Sequence, residues 1–124
     1  MNAERPVQEQ LDAYNARDLA RFVACYADDV QLFRPPAAAP VLVGKAALSA
    51  HYAANRFNLP KLHAELVNRM VLGNKVVDHE RISGVHEEPF GAVVVFEVRF
   101  EVEFGVTSEV SGALINKVWF FNAD

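Results

Sequence analysis

The sequence predicts an α+β domain in which three N-terminal helices pack on a strongly curved, mostly antiparallel sheet. Up to about Phe57 the apolar residues recur at the helical period, and from Lys61 onward they alternate. Helices first and strands afterwards argue for a helical cover on one face of a meander. Long strands sharing such a cover curve, and a curved sheet closed by helices leaves a concave interior where small molecules bind.

The first helix rests on Val7, Leu11 and Tyr14, and the second on Leu19, Phe22, Val23 and Tyr26. Asn15-Ala16-Arg17-Asp18 separates them, with Asp18 placed to cap the second helix through its carboxylate. Asp28-Asp29 is expected to end that helix, because short acidic side chains compete for backbone bonds. Val30 to Arg34 reads as a short strand. Pro35, Pro36 and Pro40 make the next stretch a loop, since proline lacks a donor and fixes φ. After Gly44 a third helix runs from Lys45 to about Phe57, its inner stripe Ala47, Leu48, His51 and Tyr52. Asn58-Leu59-Pro60 closes it.

Next comes a strand with Leu62, Ala64, Leu66, Asn68, Met70 and Leu72 on one face and His63, Glu65, Val67, Arg69 and Val71 on the other. Gly73-Asn74 suits a tight hairpin, because both residues tolerate positive φ. Lys75 to Ser83 is the return strand, and Gly84 to Pro89 a polar loop. In the run from Ala92 to Phe104, Phe96, Val98, Phe100, Val102 and Phe104 share one face, and Glu97, Arg99, Glu101 and Glu103 the other. Gly105 to Gly112 turns the chain into a last strand, Ala113 to Phe121.

Residues 1–124 make one domain. The formal net charge is −4, which lacks the broad basic footprint of a nucleic-acid binder. Cys25 is the only cysteine, so neither an internal disulfide nor a multi-cysteine zinc site can form. No apolar run approaches the roughly 20 residues of a membrane span, and the first residues lack the apolar core of a signal peptide. A cytoplasmic protein is expected, with no nucleic-acid or membrane partner. Four scattered histidines show no ligand spacing, and no phosphate loop or nucleophile elbow is present, so neither metal nor cofactor is expected.

One series of segments is distinctive: Tyr26-Ala27-Asp28-Asp29-Val30, a proline loop, Gly44-Lys45-Ala46-Ala47-Leu48, Val77-Asp78-His79-Glu80-Arg81 and Val118-Trp119-Phe120. In order and spacing it resembles the nuclear transport factor 2-like superfamily, which includes SnoaL-like proteins and ketosteroid isomerases. The resemblance implies a cystatin-like cone of sheet and three helices, a deep apolar pocket and a homodimer. It does not imply one activity. Ketosteroid isomerases use a carboxylate base with a tyrosine and a protonated aspartic acid as oxyanion donors. The matching positions here hold Arg34, Gln10 and Phe96, while Tyr26 and Tyr52 match supporting tyrosines. Limonene-epoxide-hydrolase-like members use an Asp-Arg-Asp set. Glu80-Arg81 resembles the strand that carries its arginine, but Ser83 and Phe121 stand where the aspartates would be. A further departure is the stretch from Phe100 to Gly112, which predicts a longer hairpin.

Two residues are the catalytic candidates. His79 and Arg81 share one face of a strand; if that face lines the cone, they place a titratable imidazole beside a fixed cation. Otherwise they belong to a surface ion-pair ladder, with Asp78 and Glu80 on the opposite face. Candidate ligand-binding residues are Tyr14, Tyr26, Arg34, Tyr52, Phe96, Trp119 and Phe121. Cys25, beside an apolar stripe, reads as a small buried hydrophobe. The expected function is binding of a small hydrophobic molecule, with cofactor-free isomerase, lyase or hydrolase chemistry. The alternative is a non-catalytic dimeric binding or scaffold module of the same fold.

Overall fold

The computed structural model describes residues 2–85, 94–105 and 112–122. In chain order its elements are α1 (Glu4–Ala16), α2 (Leu19–Val23), β1 (Tyr26–Phe33), β2 (Leu42–Val43), α3 (Lys45–Asn55), β3 (His63–Leu72), β4 (Lys75–Ser83), β5 (Val94–Phe104) and β6 (Ala113–Asn122). One curled sheet runs in the order β2-β1-β6-β5-β4-β3. All its pairings are antiparallel except β1 with β6, which is parallel. The expected α+β class and helical cover are present. Only α1 and α2 precede the sheet, however; α3 follows β2.

α1 buries Val7, Leu11 and Tyr14, as its stripe predicts. It stops where Arg17 turns left-handed, at φ 53°. Asp18 caps α2, its Oδ1 accepting the Arg21 N–H at 3.1 Å. α2 is shorter than expected. Tyr26 to Asp29, read as the helix end, open β1 instead. The cause is distant in sequence: the Ile115 N–H donates to the Cys25 carbonyl at 2.9 Å, and Tyr26 pairs with Ile115. The proline loop ends in the unexpected β2, where Leu42 pairs with Leu32.

Two register slips shape the sheet. In β3, Leu66 pairs with Glu80 and Asn68 with His79, so Val67 is an extra residue. The strict alternation expected for this strand therefore breaks. Ala64 and Leu66 face inward, but beyond the bulge Arg69 turns inward and Asn68 and Met70 outward. In β6, Lys117 pairs with Glu101 and Ile115 with Val102, which leaves Asn116 extra. β5 keeps the predicted alternation, with Phe96, Val98, Phe100 and Val102 buried; at its end Phe104 is exposed.

The edge strand β3 is blunted by a side chain. Asn15 donates from Nδ2 to the Ala64 carbonyl at 2.9 Å and accepts the Ala64 N–H at 2.7 Å. Its amide imitates one more strand residue and occupies groups open to another chain. Between helices and sheet, the fully buried Phe22 ring lies 4.7 Å from Tyr52, 5.1 Å from Tyr26, 5.2 Å from Phe57 and 6.0 Å from Tyr14. This aromatic cluster fixes the tyrosines between the helices and the sheet. His86 and its loop neighbours, the first residues of the Ala92 strand and residues 106–111 of the predicted longer hairpin lie outside the described residues.

Candidate ligand-binding site

The sheet curls around a cavity of about 260 Å³ that opens beside α3. Its buried wall carries Tyr14, Tyr26, Tyr52, Glu80 and Phe96, and its exposed rim Arg34, Val41 and His51. Apolar side chains from β1, β4 and β5 fill the space between.

Glu80 is the unusual group. Its inward direction follows from strand alternation, since Val76, Asp78, Glu80 and Ile82 share the buried face of β4. It is 6% exposed, sits opposite Phe96 in the ladder, and has no hydrogen bond or ion pair among the described residues. Burial pushes its pKa up to about 7; the Asp78 charge adds to the rise and Arg69 opposes it. Around neutrality the cavity thus holds a carboxyl group able both to give and to take a proton.

Asp78, fully buried on the same face, is treated differently by its surroundings. Arg69 grips it with Nε and Nη2 at 2.7 and 2.9 Å. The same guanidinium reaches Gln8 at 2.7 Å and Glu4 at 3.2 Å on α1. Only the bulge at Val67 lets Arg69 point this way.

The tyrosines supply neutral donors. Tyr26 donates to Gln10 Oε1 at 3.1 Å, and Gln10 donates to the Val7 carbonyl at 2.9 Å. Burial raises Tyr52 to about 12 and pushes Tyr14 and Tyr26 upward as well, so all three hydroxyls keep their protons at neutral pH. At the rim, burial followed by the charges of Arg56 and Arg34 lowers the His51 pKa. Cys25 is buried as expected, and burial pushes its thiol to about 12, which leaves it unreactive.

Five predicted residues line the cavity: Tyr14, Tyr26, Arg34, Tyr52 and Phe96. Four do not. The condition that would bring His79 and Arg81 into the cone is not met, because their face of β4 is the exposed one. Arg81 instead lies 3.9 Å from Glu65 in a surface pair. Trp119 and Phe121 also face outward, since the slip at Asn116 turns Val118 and Phe120 in. Trp119 stacks on Phe33 at 5.4 Å, and Phe121 lies under Arg99 at 4.7 Å. Phe120 takes the cavity position. Sequence reasoning passed over Glu80, although one signal was available: apolar Val76 and Ile82 bracket the two carboxylates, whereas Lys75 and Arg81 bracket His79.

Residues 7–106 match the family model of the SnoaL-like domain. The chain belongs to the SnoaL-like family. Solved structures support the same fold. A cystatin-fold protein of Novosphingobium aromaticivorans superposes with a TM-score of 0.76 at 19% identity, over 98% of both chains. A SnoaL-like protein of Burkholderia thailandensis gives 0.71 at 23% identity, over 98% of this chain and 94% of that one. A protein of ketosteroid isomerase-like fold from Catenulispora acidiphila, solved with trimethylamine, gives 0.70 at 14% identity, over 94% and 83%. No curated protein matches the sequence. At these identities the solved neighbours establish the fold alone. Among the described residues, no helix of this SnoaL-like chain is long and apolar enough to cross a membrane. No group of three His, Cys, Asp or Glu among them could hold a metal ion.

Proposed function

We propose that this SnoaL-like protein binds a small, mainly apolar molecule in the cone and moves a proton on it with Glu80, without a cofactor. The observation that carries this reading is a buried carboxyl with no described partner, aimed into an open cavity beside three tyrosine hydroxyls. A carboxyl that titrates near neutrality serves as acid or base with little energetic penalty either way. His79 and Arg81 lose the catalytic role to it, because they stand on the other side of the strand. Isomerisation, elimination or hydrolysis would each use such a group.

A homodimer belongs to the same reading. The outer face presents exposed Val67, Met70 and Leu72 around a shallow groove bordered by His79, Glu97, Arg99 and Phe121. A buried free thiol and the lack of a long apolar helix among the described residues fit the expected cytoplasmic setting. The scaffold alternative draws on that outer face, but it needs a cone filled by its own side chains, and the cavity speaks against it.

The test is a thermal-shift panel of steroids, terpenoid epoxides and aromatic polyketides, followed by turnover assays on whatever binds. A saturable rise in Tm supports the ligand site. Turnover abolished in Glu80→Gln, with binding retained, supports the proton-transfer role. A flat panel favours the scaffold, and full turnover in Glu80→Gln removes Glu80 from the chemistry.

A further inference from the structure

We propose that the ligand of the cone is an amphipathic anion, with an apolar body inside the cavity and a carboxylate-type head group held at the rim between Arg34 and Arg56. This rests on the reading of the cone as a ligand site and adds the chemical class of what enters it.

The arginines divide by whether a carboxylate meets them. The chain carries a net charge of −4, so carboxylates are plentiful. Arg21, Arg69, Arg81 and Arg99 each face one, at 2.8, 2.7, 3.9 and 2.7 Å. Arg34 and Arg56 both line the cavity, and among the described residues neither has an ion pair. The Arg34 guanidinium lies over the Phe120 ring, 5.3 Å from its centroid, which holds the cation at the cavity wall. Arg56 spends one N–H on the Asn55 carbonyl at 2.8 Å, just past the end of α3. The fields of both cations reach inside, since each opposes the rise in the Tyr52 pKa.

The polar groups are therefore graded along the cone. Deep in it are neutral donors, the Tyr14 and Tyr52 hydroxyls and the Glu80 carboxyl in its protonated form. Between them the walls are apolar. At the rim stand two guanidinium forks, a geometry suited to a planar carboxylate. An ammonium ligand would have to pass both like charges, which selects against it. An uncharged ligand would leave both forks without an anion.

The experiment is calorimetric titration with three probes of one shape: phenylbutyrate, phenylbutyramide and phenylbutylammonium. At about pH 6 and low salt the first probe is ionised and Glu80 holds its proton. The expected result is that phenylbutyrate binds about tenfold more tightly than the amide, with the ammonium weakest. In the Arg34→Gln, Arg56→Gln double variant the carboxylate should lose its advantage over the amide. Both positions are at the rim, and a matching Tm checks that the variant is folded. Equal binding of carboxylate and amide would overturn the anion proposal and leave the ligand site standing. Preference for the ammonium would overturn it and recast Glu80 as a counter-ion. Failure of all three probes to bind would remove the anion proposal together with the reading of the cone.

Discussion

Arg69 donates to both carboxylate oxygens of Asp78, at 2.7 and 2.9 Å, one inward position along β4 from Glu80. Two carboxylates on one buried face thus receive opposite treatment. The first is gripped by a guanidinium that also ties β3 to α1; the second is left among apolar side chains. The proton-exchanging capacity of Glu80 depends on this division of charge.

Removing the guanidinium should be costly. Arg69→Ala leaves a fully buried aspartate without its cation, and a loss of about 3–5 kcal/mol is expected in urea melts. The Glu80 pKa should rise further, because the charge that opposes its shift has gone. Replacing both partners, as Arg69→Met with Asp78→Leu, should recover most of the stability. A double variant as unstable as the single one would show that the contacts with Glu4 and Gln8, not the ion pair, hold this corner.

Glu80 makes stability depend on pH with a definite sign. Its folded pKa of about 7 lies above the ordinary 4.5, so the native state binds the proton more tightly than the unfolded chain. Its stabilising contribution is full below about 4.5 and is lost as pH rises through about 7. The span corresponds to about 3 kcal/mol. Urea melts across this window should show the decline in the wild type, and Glu80→Gln should flatten it. Parallel profiles for the two proteins would mean that the carboxyl is solvated in solution.

The bulge residue has a role that its exposed side chain conceals. Deleting Val67 removes the extra residue and leaves Leu66 opposite Glu80 and Arg69 opposite Asp78 in one unbroken ladder, with Arg69 still inward. Because the Arg69–Asp78 pair is kept, the deletion should destabilise less than Arg69→Ala, and Val67→Thr should stay within about 0.5 kcal/mol. Denaturant midpoints of the three variants give the comparison.

Gly84 follows β4 with φ 78°, and a Cβ placed there would meet the Lys61 carbonyl. Both the backbone conformation and the contact exclude a side chain. Gly84→Ala should cost more than about 1 kcal/mol, where the same change at an unstrained position would stabilise by about 0.4–1 kcal/mol. Gly73→Ala, with positive φ and open space around it, should cost less. The order of the two melting temperatures is the check.

Association through the outer face should be visible in sedimentation at micromolar concentration, and Met70→Glu should shift the protein toward monomer. Trp119 stacks on Phe33 in that same face, so its emission should respond to dissociation more than to occupancy of the cone. A monomeric wild type would remove the dimer from the proposal.

The parts legible in the sequence are those set by local pattern. The stripe of Val7, Leu11 and Tyr14, the cap at Asp18 and the alternation from Phe96 to Val102 each depend on neighbours a few residues away. What escaped depends on distant pairing. Val23 and Tyr26 have helical spacing, yet Ile115 draws Cys25 and Tyr26 into the sheet. Nothing in the composition marks Val67 or Asn116 as an extra residue, and each slip exchanges inside for outside along the rest of its strand. Tyr14 and Tyr52 were found because helix faces need no register, and Phe96 because β5 keeps its alternation; Tyr26 reaches the cavity from a strand instead of the helix assigned to it. His79, Arg81, Trp119 and Phe121 went to the wrong side because their faces do need register.

The parallel pairing of β1 with β6 also governs when the site comes into being. These strands stand far apart in the chain, and the one closes the sheet against the other. Hairpins β3–β4 and β4–β5 can zip locally, but the β1–β6 seam must wait for synthesis and diffusion to bring its two sides together, a slow step of high contact order. Tyr26 and Phe120 come from opposite sides of that seam and meet in the cavity wall. Ligand capture would therefore report the last event of folding, and a nascent chain still missing β6 would carry all three described helices yet have no cone to offer.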